Sequence, residues 1–249
     1  LKYLIKMKKL IKKFFNIAGL EVYRLQPHSD PGIQILAGMK KVQTNIILDI
    51  GANTGQFASE MRRNGYEGKI VSFEPLEGAR KKLLQHSSKD VNWIVHEKTA
   101  IGDNNGFIDI NVARNSVSSS ILDMLDAHSD AETNSIYIGK EKTPISTLDS
   151  VANIYLDELS NCFLKVDTQG YEWQVLDGAS SILKKSKGII CELSLVSLYD
   201  NQHLWIDIIQ RLEKEGFILW SLIKGFTDKR DGRSLQVDGV FLKKSEIHN

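Results

Sequence analysis

Three short segments pair acidic side chains with glycine turns in patterns suited to a ligand site at strand ends. The first is IILDIGANTGQFASEM, where an apolar run carries Asp49 and is followed by Gly51, Asn53 and Gly55 before a helical pattern begins. Glycines there let the backbone turn sharply and let a ligand approach main-chain atoms, at the strand end where open α/β sheets bind ligands. A dinucleotide fingerprint needs glycine at three spaced positions. Counted from Gly51, its second and third positions are Asn53 and Gln56. A P-loop is excluded, because no Gly-Lys-Ser/Thr follows. Asp49 would oppose a pyrophosphate, whereas it would accept a hydrogen bond from a cationic amino group. The second segment is KIVSFEP, in which Glu74 closes the next strand. A carboxylate there is placed to accept both ribose hydroxyls of an adenosine moiety.

The third segment is FLKVDTQGYEWQVLDGA, with Lys165, Asp167, Gly170 and Glu172 spread over a strand end and a helix start. Lys165 and Asp167 are two apart, so in a strand they point to one face, where an ion pair would orient the carboxylate. Glu172 falls near a helix N-terminus, where its charge is favoured. Glu192 closes a further strand in IICELS. Trp173, Trp205 and Trp220 are read as core aromatics rather than a sugar platform.

DIGANTGQF, SFEP and above all KVDTQGYEWQVLDGA resemble the FkbM-type methyltransferases, and TLDS at Thr147–Ser150 also matches. The resemblance runs from about Asn45 to about Glu192. It implies S-adenosylmethionine as cofactor, S-adenosylhomocysteine as product, and transfer of a methyl group to a hydroxyl of a sugar, glycolipid or secondary-metabolite acceptor. It carries cofactor binding to Asp49, Gly51, Asn53, Gly55 and Glu74, and an active-site position to Asp167. The neighbouring Ala52, Thr54, Phe57, Pro75, Thr99 and Ala100 are expected on the same cofactor wall. Methyl transfer from a sulfonium is an in-line displacement, so the acceptor oxygen must be aligned and its proton removed or shared. Asp167 and Glu192 are the candidate bases, with Lys165 beside Asp167. The two carboxylates sharing a divalent cation is the less favoured arrangement, since two ligands are visible against the six or more such an ion takes. Two other classes stay open on the residues alone: a non-catalytic adenosine-ligand module and, with less support, an NAD-linked oxidoreductase.

These residues must be positioned by alternating strands and helices. Ile46–Ile50, Lys69–Phe73, Val91–Val95, Phe163–Val166 and Gly188–Cys191 read as buried strands, with helices at 56–64, 77–86, 171–183 and 204–215. Phe107–Val112 reads as a strand of a hairpin turning at Asp103–Gly106, and 217–222 with 237–242 as a closing antiparallel pair. The expected fold is a Rossmann-like α/β class I methyltransferase fold, with a mainly parallel seven-stranded sheet, helices on both faces and an antiparallel last strand. Residues 45–249 would form that domain, interrupted by a polar stretch from Arg114 to Thr143 with serines at 118–120. Such an insert reads equally as a substrate-side loop and as a surface excursion.

Residues 1–44 stand apart as a basic amphipathic helix followed by a connector. Leu4, Met7, Ile11 and Phe14 recur at helical spacing, with Lys2, Lys6, Lys9 and Lys13 opposite. The favoured expectation is that the stripe packs on its own domain; the alternative is peripheral contact with an anionic membrane. A net charge of +1 gives no footprint for nucleic acid, so the expected partner is a small molecule or glycan. With 42% hydrophobic and 25% charged residues the chain reads as globular. Two cysteines make no disulfide framework, six histidines show no metal-ligand spacing, and no export signal is evident. A cytoplasmic location is therefore expected, with membrane-peripheral contact as the alternative, and no metal site.

Overall fold

The computed structural model describes residues 2–22 and 24–247, with the side chains of residues 2–6 and 8 outside the description. The chain opens with α1 (Lys2–Ile17) and α2 (Pro31–Lys41). An alternating unit follows, β1 (Ile46–Ile50), α3 (Gln56–Arg63), β2 (Lys69–Phe73), α4 (Glu77–Ser87) and β3 (Trp93–Val95). Next come β4 (Ala100–Gly102), β5 (Gly106–Ala113), α5 (Asp126–Ala131), β6 (Tyr137–Thr147) and α6 (Leu148–Val151). The chain continues with β7 (Cys162–Val166), α7 (Glu172–Asp177), α8 (Ser180–Lys185), β8 (Ser186–Ser194) and α9 (Trp205–Lys214), and ends with β9 (Phe217–Lys224), β10 (Gln236–Lys243) and α10 (Lys244–Ile247).

The main sheet has seven strands in the order β3-β2-β1-β7-β8-β10-β9. All pairings are parallel except those of β10, which is antiparallel to both β8 and β9. This is the expected class I methyltransferase architecture. β1 and β7 are buried along their whole length, as parallel strands covered by helices on both faces must be. One apolar layer joins the sheet to α2 and α3. The other joins it to α7, α8 and α9. Because β1 lies between β2 and β7, the strand order reverses at its carboxyl end, where doubly wound sheets open a crevice.

Four expectations are corrected. Residues 26–44 are not merely a connector, because α2 buries Ile35, Leu36 and Met39. The Asp30 side chain accepts from the Ile33 N–H at 2.9 Å, and Pro31 sits in the first turn. Proline there starts a helix rather than breaking one, since the N–H it lacks would have no partner anyway. The 171–183 helix is two helices, interrupted at the C-capping Gly178. The strands flanking Asp103–Gly106 form no hairpin: β4 and β5 each pair with β6, in the order β4-β6-β5. The polar insert does not run to Thr143, because β6 begins at Tyr137. Nine of its eleven positions are exposed or half-buried, including all of the first six, so no apolar alternation marks its amino side as a strand.

The stripe of α1 was expected to pack on its own domain, and the structure turns it outward. Met7, Leu10, Ile11 and Phe14 are exposed, and among the described side chains no α1 residue belongs to an apolar core cluster. Leu4, Lys2 and Lys6 of the expected pattern lie outside the described side chains. Among the described residues no helix is long and apolar enough to cross a membrane.

Candidate active site

The crevice at the end of β1 opens into a cavity of about 510 Å³, within the range that holds cofactors and drug-sized ligands. Its floor is the β1–α3 turn. Gly51 has φ +74°, and a Cβ there would collide with the Asp167 carbonyl oxygen, so this glycine lets the ends of β1 and β7 close together. Gly55 has φ +88°, and a Cβ there would strike the Trp93 ring and Leu83. Both glycines therefore serve close packing around the turn. Gly51→Ala should cost about 2–4 kcal/mol, a fall in Tm of roughly 5–15 °C by thermal denaturation; an unchanged Tm would contradict this packing role.

The turn is tied to β2 through Glu74. Asn53, at φ +47°, donates its backbone N–H to Glu74 Oε2 at 2.7 Å. The Leu76 N–H donates to Oε1 at 2.8 Å. Each carboxylate oxygen thus has one fixed donor and keeps acceptor capacity for a ligand. Glu74 is 4% exposed on the cavity wall. Burial pushes its carboxyl up to about 7, against the pull of the two amides and Lys165. Asn53 also reaches across to the insert, with its Nδ2 3.3 Å from Ser116 Oγ.

A second polar group lies under the ends of β7 and β8. Lys165 Nζ stands 3.2 Å from Asp167 Oδ2, 3.6 Å from Asp49 Oδ1 and 3.0 Å from the Gly51 carbonyl oxygen. Burial opposes this charge, yet Asp167 and then Asp49 outweigh it and hold the ammonium above its ordinary range. Asp49 is fully buried and does not line the cavity. Burial raises its carboxyl, Ser72 Oγ donates to its Oδ2 at 3.1 Å, and Trp93 Nε1 donates to that hydroxyl at 3.0 Å.

Beyond Asp167 the loop is organised by two glutamates. Glu172 Oε1 accepts from the Thr168 N–H (2.9 Å), Thr168 Oγ1 (3.2 Å) and the Gly170 N–H (3.1 Å). Its role is therefore to fold the loop ahead of α7, more than to complement a helix dipole. Gln169, at φ +54°, donates its Nε2 to Asp167 Oδ1 at 3.0 Å and lies 3.1 Å from both Glu192 oxygens. Tyr199 Oη donates to Gln169 Oε1 at 2.8 Å. Burial, and then the Asp167 charge, raise the Glu192 carboxyl well above the usual range.

Most of the expected cofactor wall is assembled here: Gly51, Ala52, Asn53, Phe57, Glu74, Pro75, Thr99, Ala100 and Asp167 all line the cavity, as does Lys165. Asp49, Thr54 and Gly55 lie behind it, and so does Glu192, screened by Gln169. The amide of Gln169 also occupies the point between Asp167 and Glu192 where a shared cation was considered. Among the described residues no group of three or more His, Cys, Asp or Glu is arranged to hold a metal ion. None of Trp173, Trp205 and Trp220 reaches the cavity.

Sequence reasoning missed Gln169, Asp238 and the contribution of α2, whose Pro31 and Ile35 line the wall. Asp238 pairs in register with Glu192 across β8 and β10. Burial, then Asp167, push it up to about 6. An acidic residue inside the apolar run VDGVFL was the available signal. From the insert, Ser116, Ser119 and Ser120 reach the cavity, which makes that stretch part of the site rather than a remote excursion.

The wall carries Glu60, Glu74, Asp167 and Asp238 against Lys165 and Lys224, four carboxylates to two ammoniums and a formal excess of −2. That balance fits a ligand joining an adenosine to a cationic sulfonium and amino group, and it disfavours a dinucleotide pyrophosphate.

The model of the FkbM methyltransferase domain matches residues 49–219, and no curated protein matches the chain. Solved structures with a similar trace include the methyltransferase domain of bacterial CtHen1-C, at TM-score 0.47 and 9% identity over 88% of this chain and 99% of that one. An rRNA methylase from Streptococcus thermophilus aligns at TM-score 0.45 and 11% identity, covering 89% and 99%. Precorrin-6y C5,15-methyltransferase from Geobacter metallireducens aligns at TM-score 0.44 and 11% identity, covering 90% and 93%. With the family match spanning more than two-thirds of its length, this chain belongs to the FkbM methyltransferase family and is an S-adenosylmethionine-dependent methyltransferase.

Proposed function

We propose that the protein methylates a hydroxyl oxygen of a small-molecule or glycan acceptor, with Asp167 as the base. The observation that carries this is a carboxylate on the cavity wall, at the end of the strand beside β1, held on both oxygens by Lys165 and Gln169. The electrophile is the methyl carbon that a bound S-adenosylmethionine supplies on its sulfonium. Glu74 would take the ribose hydroxyls, its carboxylate kept in place by the Asn53 and Leu76 amides. The apolar side chains of Phe73, Leu76 and Ile101 line the same wall and would exclude water from the adenine. Asp167 would accept the hydroxyl proton as the carbon–oxygen bond forms and the carbon–sulfur bond breaks, its electron pair going to sulfur so that S-adenosylhomocysteine leaves as the neutral thioether. A hydroxyl needs such a base more than an amine does, because it enters displacement as a weak nucleophile.

Glu192 acts through Gln169 in this reading. Together with Tyr199 it fixes the amide that aims Asp167. Tyr199→Phe leaves Gln169 Oε1 without its donor, a loss on the order of 1–3 kcal/mol where the group is buried. It should lower kcat by about tenfold, with KM little changed and the pH profile retained; a change confined to KM would remove Tyr199 from the positioning role.

The reaction class is tested by incubating the protein with methyl-labelled S-adenosylmethionine and a panel of hydroxylated small molecules, glycans and RNA. Label recovered as a methyl ether on a small molecule or glycan supports the reading. Label on nitrogen or carbon, or on RNA alone, overturns it.

A further inference from the structure

The helix that the domain leaves uncovered carries its own chemistry. α1 reads KYLIKMKKLIKKFFNI, with six lysines and no acidic residue. Since the whole chain has a net charge of +1, the remainder carries −5 once those lysines are set aside. Leu10 is 69% exposed, Phe14 71% and Ile17 80%, and the exposed apolar residues continue beyond the helix at Leu20 and Leu25. Projected at 100° per residue, Met7, Leu10, Ile11, Phe14 and Ile17 share one side, while Lys9 falls on the other and Lys13 at the flank beside Ile17. The helix also ends by local means. The Leu20 N–H bonds the Phe15 carbonyl, the Gly19 N–H bonds the Asn16 carbonyl, and Gly19 has φ +72°. That glycine stop needs no tertiary contact.

We propose that α1 docks the protein on an anionic lipid bilayer, lying in the interface with its apolar side down. A wide apolar side beneath a lysine-rich polar side is what such helices present to lipid, and each lysine near an anionic surface adds attraction. The six lysines place the described helix on the bilayer rather than across it, since each would be costly in the hydrocarbon core. A second copy is the poorer occupant, because pairing the apolar sides would bring two lysine-rich helices together with no carboxylate in either to offset them. Residues 18–30 join α1 to α2, whose Pro31 and Ile35 form part of the cavity wall. Docking through α1 therefore tethers the methyltransferase domain to the lipid surface through the segment 18–30.

The test is flotation of the full chain with vesicles of phosphatidylcholine alone, or with about a third phosphatidylglycerol, at low and high salt. The wild type should float with the anionic vesicles, and less so as salt rises. Leu10→Asp with Phe14→Asp should abolish flotation. Lys9→Gln and Lys13→Gln should each weaken it by about fivefold. Because α1 lies off the core, these variants should keep Tm within about 2 °C of wild type and keep S-adenosylhomocysteine affinity unchanged. The proposal fails if anionic vesicles bind no better than neutral ones, or if the Leu10/Phe14 variant floats like wild type. It fails equally if that variant lowers Tm by more than this, which would put the stripe on its own domain. A vesicle-free dimer by light scattering that the same variant dissociates would identify a second copy as the occupant instead.

Discussion

Asp167→Asn is expected to lower kcat by about 10²–10⁴-fold, the usual worth of a positioned base, while S-adenosylhomocysteine affinity stays within about threefold of wild type. The amide keeps the volume of the carboxylate and keeps an oxygen for Lys165 or Gln169, so the loop from Asp167 to Gly170 should hold its shape. What the variant loses is the capacity to take a proton. Glu192→Gln should cost far less, about tenfold or under, because Glu192 lies behind Gln169 and does not face the cavity. The contrast separates a group that touches the acceptor from one that only aims it. Rates with the labelled donor, alongside calorimetric affinity for S-adenosylhomocysteine, read both quantities. Near-wild-type turnover by Asp167→Asn would mean that alignment alone supplies the rate.

The second large effect is pH-dependent and belongs to Glu74. Burial raises its carboxyl to about 7. Ribose hydroxyls donate to the carboxylate, so the ionised form is the one that binds. Affinity for S-adenosylhomocysteine should be flat above about pH 7 and fall below it, by up to tenfold per unit as the group protonates. The sign for folding is opposite. A carboxyl whose folded value lies above its ordinary 4.5 contributes stability that is present below 4.5 and lost as pH rises through about 7. Glu74→Gln should remove the pH dependence of binding and weaken the plateau by about 10²-fold or more, the loss of two hydrogen bonds to a charged group. Calorimetry across pH 5.5–8.5 checks both; a pH dependence that survived in Glu74→Gln would assign it to another group, such as Glu172, which burial pushes up to about 7, or Asp238 on the cavity wall, pushed up to about 6.

What could be read from the sequence followed from how each element is stabilised. β1, β2 and β7 are apolar runs ended by acidic or glycine residues and stand where the pattern placed them, whereas β8 runs from Ser186 to Ser194, so Glu192 lies within that strand and does not close it. Glu74 and Asp167 could be found because a strand end followed by a turn fixes where a side chain can face. Three other features lacked a local signal. β6 is a mostly exposed strand, held by its two neighbours rather than by an apolar side. α2 hid behind Pro31, which the structure uses as a starter. Gln169 matters only because Glu192 and Tyr199 converge on it from residues 23 and 30 positions away, a relation that no spacing along one element encodes. The exposed side of α1 was legible as a pattern, but whether the domain would cover it depended on surfaces from the rest of the fold.

The identity of the molecule that fills the cavity is the most direct test of the cofactor site. Isothermal titration of the purified protein with S-adenosylmethionine, S-adenosylhomocysteine and NAD reads it in one experiment. The acidic wall and the doubly anchored Glu74 predict micromolar binding of the two sulfur compounds and no heat from NAD. Binding of NAD with none of either sulfur compound would contradict the account and return the glycine turn at Gly51 to a dinucleotide role.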